Sequence, residues 1–135
     1  MPKRLLIADD AMIIRELIAE AVQAAGWEVV GRAADGREAI ALYDQLRPDA
    51  VTLDLVMPHY DGLHALRGIC GSDPAAKVVV VSALSQRGVL KEAIRLGATD
   101  FVVKPFQAAV LIEALDRAVG IAAATLAEPP AAAGG

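Results

Sequence analysis

Ala50-Val51-Thr52-Leu53-Asp54-Leu55-Val56-Met57-Pro58-His59-Tyr60-Asp61-Gly62 is the stretch on which the plan of the chain turns. Its first four residues are short, apolar and partly β-branched, as in a buried strand, and they run into a single carboxylate, Asp54. Met57-Pro58 breaks the strand, and Asp61-Gly62 carries a turn signal. A carboxylate at the exit of a buried strand has two readings at this point. It is a turn or capping residue, the commoner case, or it is a nucleophile. The choice depends on what other strand ends deliver to the same edge.

Upstream, Leu5-Leu6-Ile7-Ala8 is a second unalternating apolar run, ending at Asp9-Asp10. Helical spacing follows at Ile14, Leu17, Ile18, Ala21 and Ala25, closed by Gly26. Trp27-Glu28-Val29-Val30 reads as another strand. Asp35 with Glu38 resembles a capping box for a helix burying Ala39, Leu42, Tyr43 and Leu46, stopped by Arg47-Pro48.

Downstream, Leu63 to Cys70 continues as a helix with Leu66, Ile69 and Cys70 inward, ending near Gly71-Ser72-Asp73-Pro74. Val78-Val79-Val80-Val81 is the most strand-like segment and delivers Ser82. Val89, Leu90, Ala93 and Ile94 form the next helical face, ended by Gly97. Phe101-Val102-Val103 leads directly to Lys104-Pro105. The last helix carries Leu111, Leu115, Ala118, Val119 and Ala122. One domain is expected over residues 3–124, with 125–135 a disordered Ala/Pro/Gly tail.

Five strands alternating with five helices on short turns give an α/β fold, a doubly wound parallel sheet with right-handed crossovers. Ligands of such sheets gather at the carboxyl ends of the strands. Asp9, Asp10, Asp54, Ser82 and Lys104 all follow strands and converge on that edge. Each alone has a bland account as a cap or a solvated charge. Five together do not.

Three carboxylates and one ammonium leave about two negative charges to be offset. A hard divalent cation meets that need, and Mg²⁺ binds through one or two carboxylates while keeping waters that a phosphate can replace. Metal, ammonium and hydroxyl are what a transferring phosphoryl group requires around its oxygens. Asp54 is then the nucleophile, with Ser82 and Lys104 holding phosphoryl oxygens.

Composition narrows the classes. The chain has 135 residues, and its 13 basic and 17 acidic side chains give a net charge of −4, which argues against nucleic acid as a direct partner. Apolar residues make up 56% and aromatics 4%, implying a core of Val, Ile, Leu and Ala. The single cysteine, Cys70, excludes an internal disulfide and fits a reducing compartment. No run is long enough for a signal peptide or a membrane span, so a cytoplasmic location without membrane attachment is expected.

The acid pair Asp9-Asp10, the block Asp54 to Pro58 with Asp61-Gly62, Ser82-Ala83, and Phe101 followed by Lys104-Pro105-Phe106 together resemble the receiver domains of two-component response regulators. The likeness runs from about Lys3 to Gly120 and is greatest to the single-domain chemotaxis members. It implies a flavodoxin-like sheet of order 2-1-3-4-5. It implies Asp54 as phosphoacceptor, Asp10 as a direct Mg²⁺ ligand, Asp9 acting through water, and the carbonyl of Val56 as a further ligand. Ser82 and Phe101 resemble the family's switch pair, and the Lys104-Pro105 bond is expected to be cis. The donor is a phosphohistidine on a sensor histidine kinase, a role that neither His59 nor His64 fits. The target is a protein such as a flagellar motor switch component or another kinase, met through the fourth helix, fifth strand and fifth helix, a surface that includes Lys91, Arg95, Phe101 and Ile112. The chain is expected to be a monomer.

Apolar Val56 and Leu84 stand where some relatives carry polar groups, and they are expected to exclude water from the acyl phosphate. Phe101 lacks the hydroxyl of the tyrosine found in other members. A phosphatase of the haloacid dehalogenase type wants a second acid two residues after its nucleophile, and that position is Val56. A flavin or dinucleotide site lacks its Gly-rich fingerprint. Two further alternatives are a receiver cut from a multidomain transcriptional regulator and a receiver that binds proteins without phosphate.

Overall fold

The computed structural model describes residues 2–58, 61–83 and 87–120. Expectations placed on His59, Leu84, Ala122 and the 125–135 tail lie outside them. Within them the chain alternates strand and helix: β1 (Arg4–Ala8), α1 (Met12–Ala24), β2 (Glu28–Ala33), α2 (Gly36–Leu46), β3 (Ala50–Leu53), α3 (Gly62–Ser72), β4 (Val78–Ala83), α4 (Arg87–Leu96), β5 (Asp100–Lys104) and α5 (Ala108–Ala118). The strands form one sheet of order β2-β1-β3-β4-β5. All pairings are parallel.

The inner strands are apolar without alternation because both faces are covered. Leu6 and Ala8, Val51 and Leu53, and Val78 and Val80 point into one core, with Ala39 and Tyr43 of α2, Leu66 and Ile69 of α3, and Ala93 of α4. The intervening Leu5, Ile7, Ala50, Val79 and Val81 point into the other, with Ile18 and Val22 of α1 and Leu111 and Leu115 of α5. Each large side chain so buried contributes about 1.5 to 3 kcal/mol of transfer free energy. A one-residue slip of any inner strand would exchange the two sets, so the two cores fix the register.

That register positions the site. Ala8 is opposite Leu53, Leu53 opposite Val80, and Ala83 opposite Lys104. Asp9 and Asp54 therefore leave the sheet at the same level, next to Ser82 and Lys104.

Four local expectations change. Leu17 and Ala25 are exposed, since α1 turns Ile18, Ala19 and Val22 to the sheet. Ile94 is exposed, and Leu96 packs half-buried in its stead. Cys70 is half-buried, its Sγ 3.9 Å from the carbonyl of Gly97. Trp27 is buried but precedes β2, which runs on through Gly31 to Ala33 with a register shift opposite Leu5 and Leu6.

Candidate functional site

Backbone bonds hold the two acid-bearing strand ends to their neighbours. The Asp9 N–H donates to the carbonyl of Ala33 at 3.0 Å, and the Asp54 N–H to that of Ala8 at 2.9 Å. Below Asp54 the start of α3 comes against the strand end, and Asp61 caps it by accepting from the His64 N–H at 3.0 Å. A Cβ at Gly62 would collide with the backbone of Asp54 and Leu55. The Asp61-Gly62 pair is thus a cap and a close approach, and both keep the loop after Asp54 in place.

Three carboxylates meet at this edge: Asp9, Asp10 and Asp54 present oxygens all within 4.8 Å of one another. Asp9 and Asp54 are buried, at 1% and 6% exposure, while Asp10 is exposed. Lys104 bridges the buried pair, with Nζ 2.9 Å from Asp9 Oδ2 and 3.4 Å from Asp54 Oδ2. Both Asp9 oxygens are engaged, because Oδ1 accepts from the Ala11 N–H at 2.9 Å. Asp54 Oδ1 accepts from the Val56 N–H at 3.2 Å. The Lys104-Pro105 bond is cis, as the resemblance implies.

The electrostatics follow. Burial pushes the Asp54 carboxyl above its ordinary value; the Val56 N–H opposes that, the Asp9 charge adds to it, and Lys104 offsets part. Lys104 is itself held above the ordinary lysine value. Burial alone would lower it, and the hydrogen bond to Asp9 with the charges of Asp54 and Asp9 outweighs that. One ammonium shared between two acids, and closer to Asp9, leaves Asp54 under-compensated. The site is short of positive charge. Its donors are hard carboxylate oxygens, a set that fits Mg²⁺.

Ser82 adds a second gap of a different kind. Its hydroxyl is buried, at 4% exposure, and has no hydrogen-bond partner among the described residues. A buried hydroxyl left unsatisfied costs about 1 to 3 kcal/mol, so a native one calls for a missing partner. Ser82 lies inside β4 opposite Val103, one residue before the pairing of Ala83 with Lys104. A tetrahedral anion at Asp54 would meet both the Lys104 ammonium and such a hydroxyl.

Asp9, Asp10, Asp54, Lys104 and Val56 are therefore brought together, and Ser82 stands at the same edge. Phe101 does not join them. It pairs with Val80 lower in the sheet and is 42% exposed, so it is not part of the core. Sequence reasoning missed Arg15, whose Nη1 donates to the backbone carbonyl of Asp9 at 2.7 Å. The signal was a lone cation in the first turns of the helix that follows two acids. Beside the site a groove of about 550 Å³ runs between α1 and the β5–α5 loop, lined by Ile14, Leu17, Ala21, Lys104, Pro105 and Phe106 among others.

Residues 5–116 match the family model described as the response regulator receiver domain. The chain is 50% identical over 115 residues to the chemotaxis protein CheY of Listeria monocytogenes, covering 85% of this chain and 97% of that one. It is 46% identical over 117 residues to the chemotaxis protein CheY of Thermotoga maritima, covering 87% and 98%. Among solved structures, the CheX-CheY-BeF3-Mg complex of Borrelia burgdorferi is similar, with a TM-score of 0.83 and 32% identity over 87% of this chain and 89% of that chain.

Proposed function

The chain belongs to the response regulator receiver domains, and from that premise we propose that Asp54 is the residue that takes up the phosphoryl group. The protein is a phosphoacceptor response regulator of the chemotaxis kind, closely related to CheY. In our reading a carboxylate oxygen of Asp54 attacks the phosphorus of a phosphohistidine on a sensor histidine kinase. The P–N bond breaks, its electron pair returns to the imidazole nitrogen, and Asp54 becomes an acyl phosphate. Attack of water on phosphorus later releases inorganic phosphate and restores the carboxylate. These self-phosphorylation and autodephosphorylation steps make it a signalling protein, not an enzyme acting on an outside substrate.

Lys104 holds one phosphoryl oxygen by its ammonium, and Ser82 donates its buried hydroxyl to another. Asp10, which is exposed, would hold Mg²⁺ directly, together with Asp54 and the carbonyl of Val56. Asp9 would reach it through water, since Ala11 and Lys104 already occupy its oxygens. When bound, Mg²⁺ supplies the charge that offsets the acids and the transferring group. The Val56 side chain, exposed at the mouth, would shield the acyl phosphate from water.

The switch we assign to Ser82 and Phe101. Drawing the hydroxyl toward the phosphoryl group opens room for the outward ring to turn in, and phosphate shifts the equilibrium by its different fit to the two states. The output surface is α4, β5 and α5, where Ile94 and Phe101 are exposed beside Lys91 and Arg95. Its partner is a target protein such as a flagellar motor switch component or another kinase. The reading places the chain in the cytoplasm as a monomer; among the described residues no helix is long and apolar enough to cross a membrane.

The observation that carries this reading is Lys104 between Asp9 and Asp54 at the strand edge. The test is labelling by a small-molecule phosphodonor with and without Mg²⁺, read by intact mass and peptide mapping. Wild type should gain one phosphoryl group on Asp54 in a Mg²⁺-dependent way, and Asp54→Asn should gain none. Persistent labelling of that variant would refute the assignment.

A further inference from the structure

We propose that Arg15 is a positioning residue that fixes the acid pair for Mg²⁺; this rests on the reading of the site given above. The carbonyl to which Arg15 donates at 2.7 Å belongs to the peptide unit joining Asp9 to Asp10. That unit is planar and runs from the Cα of Asp9 to the Cα of Asp10, so holding its carbonyl restrains the backbone from which both carboxylates leave the chain. Asp9 is anchored independently, through its N–H to Ala33, its Oδ1 to Ala11 and its Oδ2 to Lys104. Asp10 has no comparable anchor. It is exposed, and among the described residues no hydrogen bond holds its side chain. The Arg15 bond is what the structure offers to aim it.

The helix that follows adds little restraint. Its N-cap is Ala11, which has no side chain to cap the first turn. A turn between a buried strand and an uncapped helix needs another tie. Arg15 supplies it from within α1, its own N–H bonded to the Ala11 carbonyl at 3.0 Å. The guanidinium is always charged, and a charge-assisted bond to a carbonyl is stronger than a neutral one.

Charge and positioning predict opposite signs, which makes the proposal testable. A cation near a metal site repels the metal, so removing it for charge reasons alone would tighten Mg²⁺ binding. If Arg15 positions the acids, removing it weakens binding, because Asp10 must then be ordered by the metal itself. Outer-shell partners of metal ligands cost about 10- to 100-fold in affinity when removed. Since this bond is to backbone, about tenfold is expected for Arg15→Met.

The experiment is calorimetric titration of the full chain with Mg²⁺ for wild type, Arg15→Met and Arg15→Lys, with labelling by a small-molecule phosphodonor in parallel. Arg15→Lys keeps the charge and stem and is the variant to read if Arg15→Met does not fold. Expected are a Kd raised about tenfold in Arg15→Met, a smaller rise in Arg15→Lys, and labelling that returns to the wild-type rate at saturating Mg²⁺ in both. The amide resonances of Asp10 and Ala11 should shift in both variants while those of β4 stay in place. An unchanged Kd, or tighter binding in Arg15→Met, overturns the proposal. So does labelling that stays slow at saturating Mg²⁺, which would mean that Arg15 acts on the donor. A wild type that binds no Mg²⁺ overturns the function itself, and this inference with it.

Discussion

Thr52 and Ser82 carry hydroxyls in the sheet that are buried without a partner among the described residues, and they sit on opposite sides of the line between folding and function. Thr52 lies between Val51 and Leu53, on the strand face that Ala50 turns toward α1 and α5. It is 1% exposed, and its partners across the sheet are the apolar Ile7 and Val79. Thr52→Val should therefore raise stability by about 1 kcal/mol in urea unfolding and leave phosphodonor labelling as it was. Ser82→Ala should raise the stability of the unphosphorylated protein by about as much, but slow labelling several-fold. A Ser82→Ala variant that labels at the wild-type rate would remove the serine from the site. Sequence alone could tell these two apart only by position, since Ser82 follows the apolar run Val78-Val79-Val80-Val81 and Thr52 lies within one. The same rule made Asp9, Asp10, Asp54 and Lys104 legible, as all stand where strands stop. Arg15 escaped it because its contact runs through a backbone carbonyl six residues back, which no side-chain pattern records.

The strands were legible because three of them are buried on both faces and are therefore almost wholly apolar. β2 is less legible for the converse reason. It is an edge strand, so Glu28 and Arg32 can face water, and a Cβ at Gly31 would press on the ends of the Leu46 and Leu6 side chains. On α1 the apolar residues Met12, Ile13, Ile14, Leu17, Ile18 and Val22 span too wide an arc to point to one face. Periodicity narrowed the choice, and docking on the sheet made it. A contact invisible to any of these patterns ties α2 to α3: the Tyr43 hydroxyl donates to Asp73 Oδ2 at 2.6 Å, and Arg47 lies 3.3 Å from the same oxygen. The Tyr43 hydroxyl, then the Ala75 N–H and Arg47, hold the Asp73 carboxyl below its ordinary value against a smaller opposing effect of burial. For a lowered carboxylate the stabilisation is complete above the unfolded pKa and is lost as pH falls through the folded one. Stability should thus fall on the acid side of the ordinary Asp range. Tyr43→Phe should flatten that part of the curve, because Asp73 then titrates closer to its unfolded value. Urea midpoints measured across that range for both proteins decide it, and parallel curves would discount the hydroxyl.

At the scale of the whole molecule the sheet gathers more negative charge at one edge than its own cation offsets. Asp54 faces two carboxylates within 4.8 Å and one ammonium at 3.4 Å. At an effective dielectric of about 20 the two repulsions come to roughly 3.5 kcal/mol each and the attraction to roughly 5 kcal/mol, which leaves about 2 kcal/mol against the ionised side chain. Burial adds to that, in the direction of the raised Asp54 pKa. The apo protein therefore carries a site that opposes its own fold, and a ligand that neutralises it is bound partly by relieving that stress. Two consequences are joined. With metal chelated, Asp54→Asn should be more stable than wild type by about 1 to 2 kcal/mol in urea at neutral pH, since the amide keeps a carbonyl oxygen for the Val56 N–H and Lys104 keeps Asp9. On adding Mg²⁺ to 100 times its Kd, wild type should gain about 2.7 kcal/mol, and the variant, which offers an amide oxygen for a carboxylate, distinctly less. The order of stability should then reverse. If Asp54→Asn is the less stable protein under chelation, Lys104 already balances the edge, and the demand for a divalent cation must come from the phosphoryl group alone.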